Sequence, residues 1–194
     1  MHWDPHCRYM VGGVKVIRGN RVTLRPWRAA DAPFVFDLYS NEDVQRFLGR
    51  RPTLMKDRAA ADALIERLAA VDDPVRGYWA VEVADSGELL GTVMIQGIRR
   101  SGESERSTEL EIGWHLHPDA WGRGYATSAA ELLAQHAFAS GAERLIAVVR
   151  PGNEASIRVC QRLGMDDAGV TDSYYDVRCH LFVLERTPSA AVAD

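Results

Sequence analysis

Residues 117–142, "HPDAWGRGYATSAAELLAQHAFASGA", decide how this chain is read. Gly122, Arg123 and Gly124 stand at the mouth of a long helix-forming run. Glycine at a helix entrance weakens the helix, because it surrenders the most backbone freedom on ordering. The amides of a first helical turn lack internal partners, and the helix dipole makes that end positive. Glycines there let an anion approach the backbone without meeting a Cβ atom. Arg123 adds a fixed charge with forked donors. A phosphate or pyrophosphate would suit such a place; the plainer reading is a tight Gly-X-Gly turn. It is not a Walker loop, which needs a six-residue glycine frame and a following Lys-Ser/Thr. Nor is it the dinucleotide fingerprint, because the third glycine and the closing acidic residue are missing.

The fold follows outward from this stretch. Before it, "ELEIGWHL" (109–116) alternates as a strand does, and after Gly141 "RLIAVVR" (144–150) is a continuous apolar run, as in a strand buried on both faces. Tyr125, Ala129, Leu132, Leu133, His136 and Ala137 mark the buried face of the intervening helix. Next, "NEASIRVCQRLG" (153–164) reads as a capped helix that stops at Gly164. Two strands, around 169–174 and 177–184, end the pattern. Upstream, "KVIRGNRVTLRPW" (15–27) is a strand or short hairpin with Val22 and Leu24 inward and Thr23 and Arg25 outward. A helix begins near Asp31, and a second follows with Ala60, Leu64, Leu68 and Val71 as its stripe. "YWAVEVADSGELLGTVMI" (78–95) is a hairpin turning at Asp85-Ser86-Gly87, and "GIRRSGESERST" (97–108) is a polar loop. The order β-αα-βββ-α-β-α-ββ predicts one mixed α/β domain over residues 14–187. A loose arm (1–13) and a small-residue tail (188–194) flank it.

Composition narrows the function. With 194 residues and 46% hydrophobic content, the chain can bury a core of its own. A net charge of −4 gives no reason to expect nucleic acid or an anionic membrane as partner. Three widely spaced cysteines, Cys7, Cys160 and Cys179, do not form a disulfide framework and fit a reducing cytoplasm. The amino terminus has no secretory pattern, and no apolar run approaches the roughly 20 residues that cross a bilayer. The expectation is a cytoplasmic protein. His115 and His117 alternate on one strand face but have no third ligand nearby, so no metal is expected. The arm with His2, His6 and Cys7 is at most an adventitious metal binder.

Taken together, "VTLRPWRAADAPFVFDLYSN", "LEIGWHLHP", "WGRGYAT" and "NEASIRVCQRLGM", in this order between about Val16 and Arg186, resemble the GNAT superfamily of acyl-CoA-dependent N-acyltransferases. The nearest branch is the RimJ/RimL-like one, which acetylates protein N-termini and assorted small amines. The resemblance implies a mostly antiparallel, twisted sheet of six to seven strands with about four helices and splayed central strands that hold acetyl-CoA. The family loop falls on Trp121, Gly122, Arg123, Gly124, Tyr125 and Ala126, with Trp121 replacing the usual Gln or Arg. Thr127 follows with a hydroxyl for the same phosphates. Backbone groups of Trp114, His115 and Leu116 are implied to hold the pantetheine arm, with the amide of His115 or Leu116 turned to the thioester oxygen. Asn153 and Ser156 match the family's Asn-x-x-Ser. Asn153 is also a natural N-cap. The position where many members carry a proton-donating Tyr is Cys160 here, read as a small core residue. That leaves Ser156 or solvent to protonate the leaving thiolate.

An amine must be neutral to attack, and a carboxylate acting through water is the usual means. Glu109 and Glu111 share one strand face, and the family's strand carboxylate falls on Glu111. The expected base is therefore Glu111, with Glu109 as helper. Phe34, Tyr39, Phe47, Tyr174 and Tyr175, with Asp172 and Asp176, are expected around the acceptor, as acidic and aromatic groups suit a cationic amine. A protein N-terminus, a polyamine and an aminoglycoside all fit, and a homodimer is compatible. The other class is a non-catalytic acyl-CoA-binding module that retained the loop.

Overall fold

The computed structural model describes residues 10–11, 14–49 and 52–186. A short antiparallel pair, β1 (Met10–Val11) with β2 (Val14–Lys15), precedes the main sheet. The rest of the expected arm, its two histidines and Cys7, and the tail at 188–194 lie outside the described residues.

The main sheet has eight strands rather than six to seven: β3 (Ile17–Arg18), β4 (Val22–Pro26), β5 (Gly77–Val83), β6 (Leu89–Arg99), β7 (Arg106–Leu116), β8 (Arg144–Val149), β9 (Asp166–Tyr174) and β10 (Val177–Glu185). Their spatial order is β3-β4-β5-β6-β7-β8-β10-β9. The extra strand arises because "KVIRGNRVTLRPW" is a hairpin, with Gly19 N–H donating to the Val22 carbonyl at 2.9 Å. Every neighbouring pair is antiparallel except β7–β8. The polar stretch after Gly97 is not simply a loop, because the β6–β7 ladder continues across a bulge to Arg99 opposite Arg106.

Five helices flank the sheet: α1 (Ala32–Ser40), α2 (Glu42–Gln45), α3 (Arg58–Ala69), α4 (Tyr125–Ala139) and α5 (Glu154–Arg162). The four-residue α2 is the one the sequence reading lacks; Asn41 caps it by accepting from the Asp43 N–H at 2.9 Å. On one face of the sheet, Ala129, Leu133 and Ala137 of α4 pack on Leu24, Val81, Val93, Ile95 and Ile112, all essentially inaccessible. Burial of each large aliphatic side chain there stabilises the fold by about 1.5–3 kcal/mol. On the other face, α1 and α3 cover Ala80 through Ala32, Val35, Ala61 and Ile65. The α3 stripe is thus displaced by one residue: Ala61 and Ile65 are buried, Leu64 and Leu68 flank them, Ala60 is exposed and Val71 is 40% exposed.

The alternation expected for β4 also fails, since Thr23 and Arg25 are buried along with Val22 and Leu24. A buried guanidinium must be paired, and Arg25 is: it bonds Asp31 at 2.7 Å and Glu82 at 2.6 Å. This triad ties β4 and β5 to the entrance of α1. Among the described residues, no helix is long and apolar enough to cross a membrane.

Candidate active site

The sheet opens where β7 meets β8. β7 pairs with β6 through Leu116, yet with β8 it registers only at Glu111 opposite Ile146. Beyond that point the β8-facing edge of β7 carries no ladder, and a cleft begins. It has two connected lobes of about 290 and 240 Å³, which share Phe47, Leu48, Trp114, His115, Asn153 and Ser156.

The second lobe is bounded by the glycine loop. Gly122 and Gly124 have φ of +74° and +78°, the left-handed region that suits glycine. A Cβ on Gly122 would meet nothing within 4 Å, whereas one on Gly124 would come 3.1 Å from Arg21 Nη1. The glycines are therefore dictated first by backbone conformation. Arg21, unremarked in the sequence reading, clamps the loop: its Nη2 donates to the Arg123 carbonyl at 2.7 Å, and its guanidinium lies 5.2 Å from the Tyr125 ring centre. Helices α3 and α5 each have a capping side chain, Asp57 and Asn153. The longer α4 starts at Gly124 with none, and the Thr127 hydroxyl at this end is buried without a partner. An anion would satisfy these groups. Trp121 is 44% exposed, and its indole N–H donates to the Leu116 carbonyl at 2.8 Å. That carbonyl is consequently engaged. The His117 N–H bond to the Leu90 carbonyl sets the alternation by which His115 faces β6, so the freer backbone at the gap is that of Trp114 and the amide of Leu116.

The first lobe holds a carboxylate. Glu111 is 7% exposed on β7, and its Oε2 accepts from Gln96 Nε2 at 2.9 Å and, over a very short distance, from the Tyr175 hydroxyl. Gln96 Oε1 in turn accepts a short hydrogen bond from the Tyr78 hydroxyl. Among the described residues nothing donates to Glu111 Oε1, and that oxygen is open to the lobe. Burial raises the Glu111 pKa above the ordinary carboxylate value; the donors Tyr175 and Gln96 and the charge of Arg106 pull it back part of the way. Tyr175 reaches the carboxylate from the β9–β10 turn, where Tyr175 and Asp176 have φ of 57° and 56° without being glycine. Such backbone costs about 1–3 kcal/mol per residue and persists where contacts over-determine it. Here the Tyr175 hydroxyl holds Glu111, and Asp176 holds Arg99 at 2.9 Å and the Gly102 N–H at 2.7 Å.

The remaining candidates fall into three groups. Asn153 caps α5, accepting from the Ser156 N–H at 3.2 Å, and both residues line both lobes. Tyr39 meets the site through His115, with its hydroxyl 3.1 Å from Nδ1; burial lowers the His115 pKa to about 4, so the ring is neutral near pH 7. Glu109, Tyr174 and Phe34 line neither lobe. Tyr174 donates to Glu109 at 2.9 Å, and Phe34 stacks on Trp27 with ring centres 6.5 Å apart. Cys160 is fully buried in the main core, which pushes its thiol to about 12. Sequence reasoning missed Gln96, Tyr78, Arg106 and Arg21. A polar Gln inside the apolar run "GTVMIQGI" was the signal available for the first.

The sequence matches the Acetyltransferase (GNAT) domain family over residues 21–166. The chain belongs to the GNAT acetyltransferases. A relative, the uncharacterised N-acetyltransferase YoaA of Bacillus subtilis (strain 168), is 29% identical over 180 residues, covering 88% of this chain and 98% of that protein. A GNAT-family acetyltransferase from Bacillus anthracis has the same fold, with a TM-score of 0.72 at 19% identity over 88% of this chain and 98% of its own. So has RimL, the ribosomal L7/L12 α-N-protein acetyltransferase solved with coenzyme A, with a TM-score of 0.72 at 16% identity and the same coverages. The acyl-CoA that a GNAT fold implies suits the residues present, as the uncapped α4 and the unpartnered Thr127 hydroxyl offer donors to its phosphates.

Proposed function

We propose that this GNAT protein moves an acetyl group from acetyl-CoA to a primary amine, by direct attack of the amine when both are bound. The observation that carries the reading is the single cleft joining a bare-backbone anion site to a buried carboxylate with one oxygen free. Acetyl-CoA supplies the acyl group, activated as a thioester.

The chain's own residues do the rest. The amides of the loop at Gly122–Thr127 receive the pyrophosphate. Backbone of Trp114, at the gap-facing edge of β7, aligns the arm, and the amide of Leu116 on the same edge stabilises charge growing on the carbonyl oxygen. Glu111 Oε1 takes the proton of the incoming amine, directly or through one water. Its raised pKa makes it a stronger base than an ordinary carboxylate. The proton for the departing thiolate comes from the Ser156 hydroxyl or from solvent, because Cys160 lines neither lobe. Protein amino termini, with pKa near 8, need less help than lysine, near 10.4. We assign the protein to the cytoplasm on its reduced cysteine pattern.

The test is release of free CoA thiol from acetyl-CoA over a panel of primary amines. Release that depends on both the protein and the amine is expected. Thermal stabilisation by acetyl-CoA with no release for any amine would replace the enzyme by a non-catalytic acyl-CoA-binding module.

A further inference from the structure

The acids expected to attract a cationic acceptor are not at the Glu111 lobe. Asp176 is committed to Arg99 and to the Gly102 N–H, and Asp172 is exposed elsewhere on β9. The formally charged residues that line the lobe are Glu111, Arg106 and Arg150: one carboxylate and two guanidinium groups. They come from different walls. Arg106, exposed at the start of β7, donates from Nη1 to the Gly97 carbonyl at 2.8 Å. Arg150, after β8, donates to the Gly49 carbonyl at 3.1 Å. Neither has a carboxylate within ion-pairing distance among the described residues. His115 adds no charge, being neutral at pH 7.

A purely cationic acceptor would therefore enter a lobe where positive side chains outnumber negative ones, and each further ammonium group would add repulsion. An amine that carries its own carboxylate reverses the balance. Its nitrogen can lie at Glu111 Oε1 while the carboxylate accepts the forked donors of a guanidinium, a geometry that arginine matches closely. We infer that the acceptor is a primary amine bearing a carboxylate a few bonds from its nitrogen, and that Arg106, assisted by Arg150, binds this carboxylate. The inference rests on the N-acetyltransferase reading above and narrows it.

The experiment compares kcat/KM for an α-amino acid, for its carboxamide, in which the anion is removed with little change of shape, and for a linear polyamine. The wild-type protein should prefer the amino acid to its amide by about tenfold. Arg106→Gln should cut this preference about threefold to tenfold, the range for a charge-assisted bond at a partly solvated position. Arg106→Lys should restore part of it, and Arg150→Gln should have a smaller effect. Losing Arg106 also removes a charge that lowers the Glu111 pKa, but that change slows both acceptors alike and cancels in the ratio. Arg178→Gln, on exposed β10 surface outside the lobe, controls for loss of charge in general. A C-terminally amidated dipeptide with aspartate in second place presents one ammonium and one carboxylate, as the amino acid does, and tells a chain terminus from a free amino acid. Equal use of amide, polyamine and amino acid, or a ratio untouched by Arg106→Gln, would overturn the inference while leaving the enzyme standing. If no amine yields CoA thiol, the enzyme reading and this one fall together.

Discussion

The anion cradle at Gly122–Thr127 is made of main chain from one continuous segment, whereas the hydrogen-bond network at Glu111 is made of side chains from β5, β6, β7 and the β9–β10 turn. The first is local: two left-handed glycines and an uncapped helix create it, so Trp121 can stand at a position that usually holds another side chain. The second is non-local: Tyr78, Gln96, Glu111 and Tyr175 meet only because the ladder register brings them together. Main-chain sites depend on conformation and tolerate changes of side chain; side-chain networks depend on every member. The contrast predicts where each substitution will act.

The largest effect is expected from Glu111→Gln, which should slow turnover about 10²-fold, at the lower end of general-base contributions, with CoA affinity nearly unchanged. Rates with one good acceptor between pH 6 and 10 should show the defect shrinking as solution supplies neutral amine. Wild-type rates throughout would remove Glu111 from the mechanism. The same variant should melt higher at pH 8. A carboxyl whose folded pKa is raised gives its full stability below the unfolded pKa and loses it as pH climbs through the folded one. An amide has no such loss, and each kcal/mol regained is worth about 2–4 °C in a chain of this size.

Gly124→Val should come next and strike the other lobe. A β-branched residue at φ +78° is strained, and its Cβ would press on Arg21 Nη1. The dissociation constant for CoA should rise about tenfold or more, matching a cost of about 1–3 kcal/mol for such backbone. Titration calorimetry measures it, and Arg123→Ala, removing a side chain only, should do less. The reverse order would show that the lobe works through side chains after all.

Tyr175→Phe sharpens the comparison from the side-chain lobe. It removes a donor that favours the charged form of Glu111, so the Glu111 pKa should rise further. The acid limb of the kcat/KM profile should move to higher pH, best seen with an acceptor amine that is neutral throughout. A limb that stays put would separate that hydroxyl from the base. The smallest effect is expected for Asn153→Ala, which loses the α5 cap and about 1 kcal/mol of stability. Thermal denaturation reads it, and a large fall in CoA affinity without a fall in stability would assign Asn153 to the ligand instead.

Legibility in the sequence divides along the same line. The loop, α4, the Asn153 cap and the apolar strand β8 are written in contiguous residues, and the loop and the Asn153 stretch, in order after "VTLRPWRAADAPFVFDLYSN" and "LEIGWHLHP", carry the family resemblance. The register of α3 was misjudged because alanines lie on both sides of its stripe, so Ala60 and Ala61 look alike until packing chooses. Arg25 looks like a solvent-facing strand residue because its partners, Asp31 beyond the end of the strand and Glu82 on β5, form one cluster only in the fold. Tyr78 is silent for the same reason, and Gln96 shows only as a polar residue within an apolar run. Glu109, on the same strand face as Glu111 and expected as its helper, instead accepts from the Tyr174 hydroxyl and lines neither lobe.

The single ladder contact between β7 and β8 has a consequence for motion as well as for binding. Between β7 and β8 the ladder of the sheet is reduced to Glu111 opposite Ile146, and the halves on either side are otherwise tied at one end, where the Ser101 N–H bonds the Ser173 carbonyl at 2.8 Å and the Tyr175 N–H bonds the Arg99 carbonyl at 3.1 Å. Cooperative units of local opening follow such weakly bonded boundaries. Amides of residues 112–116 that face the gap should therefore exchange with deuterium early in the free protein, and a ligand lying in the gap would act as a missing strand, slowing their exchange and fastening the two halves together.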